Sequence, residues 1–220
     1  MAKLIYKFLK GQEDRYQVST ISSETIMNDN TEESRKDNSV NMELVQKLID
    51  LDKDGTGHIV IIVDKGPPAN DGGKQTYFMK MATNGKILVS SSGQMQNNTP
   101  SLPDRDVLPG NSWIGESLVN LPGVKSSKPY KNTYNLEKFE DIKEYNCAVI
   151  GMKSETLNVE IDIPAYPDVK VKQVINSNGK IYFAHEEGKL IKSITNTYST
   201  SYLPDNKIME TEMTVKVEII

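Results

Sequence analysis

The sequence predicts a mainly β protein whose antiparallel strands follow one another as a long meander. Two observations support this prediction. Apolar and polar residues alternate with a period of two along much of the chain, and turn residues interrupt this alternation at short intervals. Such strands need only short hairpin connections, whereas parallel strands need long crossovers. Little helix is expected: NMELVQKLIDL (41–51) fits a helix or a strand, and the turn signal that follows favours a strand.

The two ends of the chain show the strand pattern most clearly. In TEMTVKVEII (211–220), alternate residues form an apolar face and a polar face. The apolar face consists of Met213, Val215, Val217 and Ile219, and the polar face of Glu212, Thr214, Lys216 and Glu218. This pattern predicts a half-buried strand. At the other end, LIYKFLKGQEDRYQVSTI (4–21) predicts a strand, a turn at Gly11 and a second strand.

Glycine pairs mark the predicted hairpin turns, at Asn84-Gly85, Asn178-Gly179 and Glu187-Gly188. Asn-Gly favours tight hairpin turns because both residues reach positive φ at little cost. YFMKMATNGKILV resembles IYFAHEEGKLI, which suggests two similar halves.

Two polar stretches lack the strand pattern. Residues 27–41 are predicted to form a mobile loop without a binding role. Residues 91–112 are rich in Pro, Gly, Ser and Asn and predict a connector. The predicted organisation is therefore a β half at 1–95, a connector at 96–112 and a β half at 113–220, with one continuous domain as the alternative.

Composition argues against several classes of protein. The net charge is −4 and no basic stripe is present, so nucleic-acid binding is not expected. No apolar run is long enough for a membrane span. Cys147 is the only cysteine, which leaves no partner for an intrachain disulfide. Its apolar setting, YNCAVIG, predicts an inert buried thiol. No signal peptide is visible, which fits a cytosolic protein or one whose leader has been removed.

The segment DLDKDGTGHIVI (50–61) begins like a calcium-binding EF-hand loop, with Asp50, Asp52 and Asp54 at positions one, three and five. Position twelve is Ile61, which has no carboxylate to close the loop. The β-branched run that follows is also unlike the second helix of an EF-hand. We therefore interpret Asp54-Gly55 as a hairpin turn, with a weak surface cation or a specific calcium site as alternatives.

No local motif nominates a catalytic, cofactor-binding or metal-binding residue, and no cofactor is expected. His58 and His185 are interpreted as surface residues near strand ends. GPPANDGG (66–73) lacks the GK[ST] of a phosphate loop and predicts a surface turn. Trp113 either anchors a loop to the core, which we favour, or stacks on a ligand.

Three segments carry a resemblance to a known family. They are PSLPDRDVLPGNSW (100–113), TYNLEKFEDIKEYNCAVIGMKSE (133–155) and GKIYFAHEEGKLIKSI (179–194). Together they resemble an uncharacterised family of exported bacterial proteins, a domain of unknown function with an LP…GDSW connector. The sequence departs from that pattern at Asn111, where Asp is more usual, and it lacks a glycine in KEYNCA.

The resemblance implies a secreted or lipid-anchored envelope protein whose leader has been removed. It also implies a curved antiparallel sheet or open half-barrel, similar to that of bacterial lipoprotein carriers. The leading hypothesis is a non-enzymatic protein that binds a lipid or another hydrophobic ligand on the concave face. The alternatives are an interaction module that pairs with an envelope protein and an enzyme whose site, for example around His58 or His185, forms only in three dimensions.

Overall fold

A computed structural model describes residues 1–29, 31–65, 74–91, 99–119, 128–163 and 166–220. These residues form strands and turns and contain no helix, which confirms the predicted mainly β class. None of them belongs to a helix long and apolar enough to cross a membrane. The strands are β1 (Glu13–Asn28), β2 (Thr31–Leu51), β3 (Gly57–Lys65), β4 (Gln75–Met81), β5 (Ile87–Ser90), β6 (Ser112–Val119), β7 (Lys128–Ile142), β8 (Tyr145–Ser154), β9 (Leu157–Ile163), β10 (Tyr166–Ala184), β11 (Lys189–Tyr202) and β12 (Lys207–Ile219).

All twelve strands belong to one curved, unclosed antiparallel sheet. The strand order is β5-β4-β3-β2-β1-β12-β11-β10-β8-β7-β6, and β9 pairs with β10 beside β8. The first and last strands of the chain are therefore neighbours at the centre of the sheet. The strands before and after the predicted connector lie on opposite sides of this central ladder; the domain boundaries themselves stay a prediction.

The main hydrophobic core joins the two sides of the sheet. Strands β2 to β4 contribute Leu48, Ile59 and Met79, and strands β7 to β10 contribute, among others, Ile150 and Phe183. Because residues from both sides pack in one cluster, the sheet must curl so that its inner faces meet. Burial of these apolar side chains provides the main stabilisation of the fold.

Residues 1–9, which we call the N-terminal arm, belong to no strand, and alternate side chains of the arm, those of Ala2, Leu4 and Tyr6, lie in this core. The prediction of a strand at 4–9 is therefore wrong, although the turn at Gly11 and the strand after it are confirmed. The physical reason is that the arm bonds to turns and to the connector instead of to a neighbouring strand. Leu4 and Tyr6 are buried, so the apolar alternation that suggested a strand reflects insertion into the core.

Beyond the core, six strands continue as a region that we call the outer sheet (residues 18–28, 31–41, 157–163, 166–178, 195–202 and 207–215). The loop predicted at 27–41 is wrong, because residues 31–41 belong to β2 and pair with β1. These residues are exposed throughout. A strand with two solvent-exposed faces needs no apolar residues, which explains why its polar composition looked like a loop.

Besides the turn at Gly11, the positions of three predicted turns are confirmed, but at Asn84-Gly85 only the glycine has a positive φ, so the expectation that both residues adopt it is wrong there. The three turns contain Asp54-Gly55, Asn84-Gly85 and Glu187-Gly188, and the three glycines have φ values of 85°, 84° and 69°. The turn predicted at Asn178-Gly179 is wrong: both residues lie inside β10, where Gly179 pairs with Thr195 on one side and Met152 on the other. A Cβ at Gly179 would lie 2.5 Å from the carbonyl oxygen of Ile194, so the glycine permits close strand approach.

Candidate functional site

One face of the outer sheet is apolar along the strand β12. Residues that lie opposite each other in neighbouring strands point to the same face. One such row runs across six strands, and a second row begins one step further from the core. The first row is Val40, Thr20, Val215, Thr195, Gly179 and Met152; the second contains Asn38, Ser22, Met213, Thr197 and Ser177.

This face, which we call the apolar face, has a stripe of Val217, Val215 and Met213 along β12, and Thr211 separates Met209 from it. The side chains of this stripe are half-buried. Its apolar pattern was predicted from TEMTVKVEII, and the strand itself is confirmed. Val217 packs against a buried cluster at the core end, so the stripe continues the core outward.

Hydroxyl side chains border the stripe on both sides. Thr20 and Ser22 of β1 lie on one side, and Thr195 and Thr197 of β11 lie on the other. The hydroxyl of Thr197 is 2.9 Å from that of Ser177 on the next strand, which satisfies part of its hydrogen-bonding capacity. Beside Val215 and Met213 the result is a narrow apolar track with polar margins, whereas beside Val217 the neighbour on β1 is the apolar Val18. The sequence showed the stripe, but its borders depend on strand pairing between distant segments.

The opposite face of the outer sheet is mainly polar along β12, with Glu210, Glu212, Thr214 and Lys216, and it also carries aromatic residues and the exposed Ile21 of β1. Tyr198 and Tyr202 of β11 are 41% and 49% exposed. A cross-strand chain of hydrogen bonds runs beside them: Asn196 donates to Asn178, and the hydroxyl of Thr214 donates to Asn196. The two faces therefore differ in chemistry, and substitutions on one face have matched controls on the other.

The acidic turn has the geometry of a hairpin connection between β2 and β3. Gly55 donates its N–H to the carbonyl of Asp52 at 3.0 Å, and Asp52 donates to the carbonyl of Thr56 at 2.9 Å. The Asp54 carboxylate accepts the N–H of Thr56 at 3.0 Å. The predicted hairpin turn is thus confirmed, and Asp54 stabilises it from within.

The remaining carboxylates of this segment bind separate partners in the protein. Asp52 lies 2.9 Å from Nε2 of His58 and 3.4 Å from Nζ of Lys80, and Asp50 lies 3.1 Å from Nζ of Lys10. Within the described ranges, no group of three or more His, Cys, Asp or Glu side chains could hold a metal ion. The hydrogen bond from His58, together with the charges of His58 and Lys80, lowers the pKa of Asp52.

The lowered pKa of Asp52 predicts an acid-dependent effect. A carboxylate with a depressed folded-state pKa stabilises the fold above its unfolded pKa of about 3.9, and this contribution is lost as pH falls through the folded value. Asp52→Asn should therefore lower the melting temperature at neutral pH, and the difference from wild type should shrink below about pH 4. Thermal melts across pH measure it, with Asp104→Asn, a substitution of an exposed carboxylate in the connector, as the control. A difference that persists unchanged in acid would contradict this role.

A charged pocket of about 340 Å³ lies where the start of β1, the β7–β8 turn and the end of β12 meet. Its lining residues are Glu13, Asp14, Arg15, Lys143, Glu144, Tyr145, Lys189, Ile219 and Ile220. Most of the charges are neutralised locally: Lys189 lies 3.6 Å from the buried Asp14, and Arg15 pairs with Glu13. Lys143 donates to the carbonyl of Ile219 at 2.6 Å. The residues that line the pocket therefore hold these chain segments together through ion pairs and hydrogen bonds.

Lys189 is the most enclosed cation of this pocket. Burial disfavours its charged form, but the hydroxyl of Tyr145 and the carboxylate of Asp14 outweigh this effect and raise the pKa of Lys189. Its ammonium group also lies 4.7 Å from the centre of the Tyr145 ring. Sequence reasoning missed this cluster, because its members are far apart in the chain and no local pattern links them.

The other candidate residues occupy structural positions. Cys147 is buried, and burial raises the pKa of its thiol to about 11, which disfavours the reactive thiolate. Trp113 donates to the carbonyl of Ser101 at 2.7 Å and stacks on Tyr134, so it anchors the connector as predicted. Nδ1 of His185 is 2.9 Å from the carbonyl oxygen of Asn146. The surface turn predicted at 66–73 lies outside the described residues.

Comparisons with known proteins identify no family for this chain. No family model and no curated protein matches it. Among solved structures, it is similar to the crystal structure of Ail, the attachment invasion locus protein of Yersinia pestis, with 10% identity over 96% of this chain and 99% of that chain. The TM-score is 0.23, and at this level the similarity supports no conclusion about fold or function.

Proposed function

We propose that the protein is a non-enzymatic protein of the cell envelope that binds a hydrophobic ligand on the apolar face of the outer sheet. The observation that carries this proposal is the apolar stripe of β12. It continues the core outward on one face and is only half-buried by the residues around it. Apolar surface of this kind gains about 25 cal/mol for each Å² that a ligand removes from water.

The position of the ligand follows from what occupies the rest of the concave face. At the core end, the N-terminal arm and the side chains of both sheet halves fill the space, and Leu4 and Phe183 are fully buried. A ligand there would have to displace close-packed side chains. The outer sheet has no such filling among the described residues, so we place the ligand along β12.

The envelope location rests on the resemblance of the segment 100–113 and its two accompanying hairpins to exported bacterial proteins. Where Val215 and Met213 lie between hydroxyl groups on both margins, the track is one strand wide, which suits a lipid chain better than a broad planar ligand. Its polar margins would remain hydrated beside a single bound chain.

Paired substitutions on the two faces test this proposal. Met213→Glu with Val215→Glu places two carboxylates on the apolar face and should weaken binding of a fluorescent fatty acid by about tenfold or more, because each buried charge costs well over 1.4 kcal/mol. Ile208→Glu with Thr214→Glu, which adds the same two negative charges to the opposite face of β12, is the matched control and should leave affinity within about twofold. Native mass spectrometry of the purified protein would identify co-purified lipid.

Three results would contradict the ligand proposal: no fatty-acid binding by wild type, equal loss in both double variants, or binding abolished only by the control. The double variant Tyr198→Ala with Tyr202→Ala then tests the alternative function, an interaction module. If that variant loses capture of an envelope protein while lipid binding is absent, the exposed tyrosines of the opposite face form the functional surface.

Among the described residues, no strand pairs with residues 31–41 of β2 on the side away from β1, and this edge gives the interaction alternative less support. A bulge interrupts the β1–β2 register beside Ile26 and Met27, and the exposed edge carries Arg35 and Lys36. Bulges and charged side chains are typical of edges protected against pairing with another strand. A protein partner would therefore bind a face of the outer sheet rather than this edge.

A further inference from the structure

The N-terminal arm occupies its site in the way that an extended peptide occupies a binding groove. Alternate side chains, Ala2, Leu4 and Tyr6, are buried, whereas Lys3 and Lys7 between and beyond them are exposed. Peptides recognised by strand addition show this pattern, with backbone hydrogen bonds for affinity and pockets for alternate side chains. The arm is thus a bound segment supplied by the chain itself.

The groove is built from three elements that are distant from the arm in sequence. Ala2 exchanges two backbone hydrogen bonds of 2.9 Å with Val107 of the connector. Tyr6 donates to the carbonyl of Thr83 at 2.7 Å, and Lys7 donates to that of Gly188 at 3.0 Å. The groove therefore consists of the connector, the β4–β5 turn and the β10–β11 turn.

A separate turn links the arm to the sheet. Gly11 donates to the carbonyl of Leu48 at 3.0 Å, so the chain is fixed to β2 just after the arm. At Gly11 φ is +83°, and a Cβ there would meet no atom within 4 Å. Leu9, the last residue of the arm, is 70% exposed. Gln12 donates to the carbonyl of Leu9 at 2.9 Å, so rotation about residues 9–11 would release the arm at the cost of this bond.

We propose that this groove also binds the arm of a second copy of the chain, giving a dimer by arm exchange. A second copy is the occupant because the groove already matches this backbone and the spacing of Ala2, Leu4 and Tyr6, so exchange recreates the same contacts between molecules. The hydroxyl of Tyr6 is buried without a hydrogen-bond partner among the described residues. Such a group disfavours the docked state by about 1–3 kcal/mol, which lowers the cost of arm release.

Exchange depends on protein concentration and on the linking turn. A short flexible tether gives the arm an effective concentration of the order of mM, so the intramolecular state wins in dilute solution. When the protein concentration approaches that value, the arm of a second copy competes equally with the intramolecular arm for the groove. This inference goes beyond ligand binding, since it involves the core end of the sheet and leaves the apolar face untouched.

A disulfide between residues 2 and 107 reports where the arm is bound. Ala2 and Val107 form a hydrogen-bonded antiparallel pair, whose Cα atoms are about 5.5 Å apart, a separation that suits a disulfide. The variant Ala2→Cys with Val107→Cys is equilibrated at about 1 µM and at about 1 mM, around the effective concentration of the arm, and then oxidised. We expect covalent monomer in dilute protein and covalent dimer with 2–107 links in concentrated protein.

The outcome is decided by mass spectrometry of the linked peptides. Dimers joined only by 2–2 or 107–107 links, or monomer at every concentration, would overturn the proposal. The single variants Ala2→Cys and Val107→Cys serve as controls for such incidental links. Deletion of Lys10 and Gly11 should shift the double variant to exchanged dimer even at about 1 µM, because the shortened turn strains the intramolecular arm. If the deletion prevents folding, the concentration series on the double variant with the intact turn still tests the proposal.

Discussion

Phe183→Ala is expected to lower the free energy of unfolding by about 3–5 kcal/mol, the largest effect of any single truncation in this core. Phe183 is fully buried in the cluster that joins the two sides of the sheet, and its ring meets that of Tyr6 edge-to-face at 5.0 Å. Truncation leaves a cavity and removes this ring contact. Chemical denaturation monitored by the fluorescence of Trp113 measures the change.

Tyr198→Ala is the control for Phe183→Ala, because it also truncates an aromatic side chain in a strand. Tyr198 is exposed on the outer sheet, so its loss should cost less than about 1 kcal/mol. Equal effects of the two truncations would contradict a core centred on Phe183. It would then follow that the arm and the sheet halves do not pack as described.

Gly85→Ala should destabilise the protein by about 3 kcal/mol, through backbone strain and steric overlap together. At Gly85 φ is +84°, where a residue with a Cβ is strained by about 1–2 kcal/mol. The added Cβ would also overlap the carbonyl oxygen of Pro100 and lie 3.0 Å from the ring of Tyr6. The connector would have to move, weakening the 2.8 Å bond from Leu102 to Asn84.

Gly11→Ala measures the backbone strain without the steric overlap, and so separates the two contributions to the effect of Gly85→Ala. The φ values of the two glycines differ by one degree, but a Cβ at Gly11 meets nothing within 4 Å. Only the backbone strain of about 1–2 kcal/mol is expected there. Denaturation curves of the two variants should therefore differ by more than about 1 kcal/mol. Indistinguishable curves would show that the connector does not pack against the β4–β5 turn.

Local sequence patterns predicted those strands and turns whose environment matches their composition. The alternation in β12 identified a real strand with one apolar face, and Asp54-Gly55 and Asn84-Gly85 form real turns. In these cases the residues adopt the backbone conformation that their intrinsic preferences favour. The curved sheet was expected from the resemblance, and the structure agrees.

The errors arise where tertiary contacts override local preference. Asn178-Gly179 has the composition of a hairpin turn, yet it lies between two paired strands in which a glycine permits close backbone approach. Residues 31–41 resemble a loop in composition because apolar residues occur mainly where a strand is buried. This part of β2 is exposed on both faces and therefore contains few of them. The arm alternates like a strand although its partners are turns and the connector.

The candidate site was only partly accessible from sequence for a similar reason. The stripe on β12 is a local pattern and was identified. Its hydroxyl margins depend on β1, almost 200 residues away in the chain, and on the register with β11. The Asp14–Lys189 pair likewise joins segments that no period connects. Long-range pairing, rather than residue type, positions these groups.

The ladder between β1 and β12 has a consequence for how the chain folds. Tyr16 pairs with Ile219, so this ladder closes a loop that contains nearly the whole chain. Closing a loop of this length carries a large entropy cost, and folds rich in such pairings form slowly. During synthesis, β1 has to wait for the last strand with one edge unpaired. An unpaired strand edge is prone to aggregation, so the nascent protein would benefit from a chaperone until β12 completes the sheet.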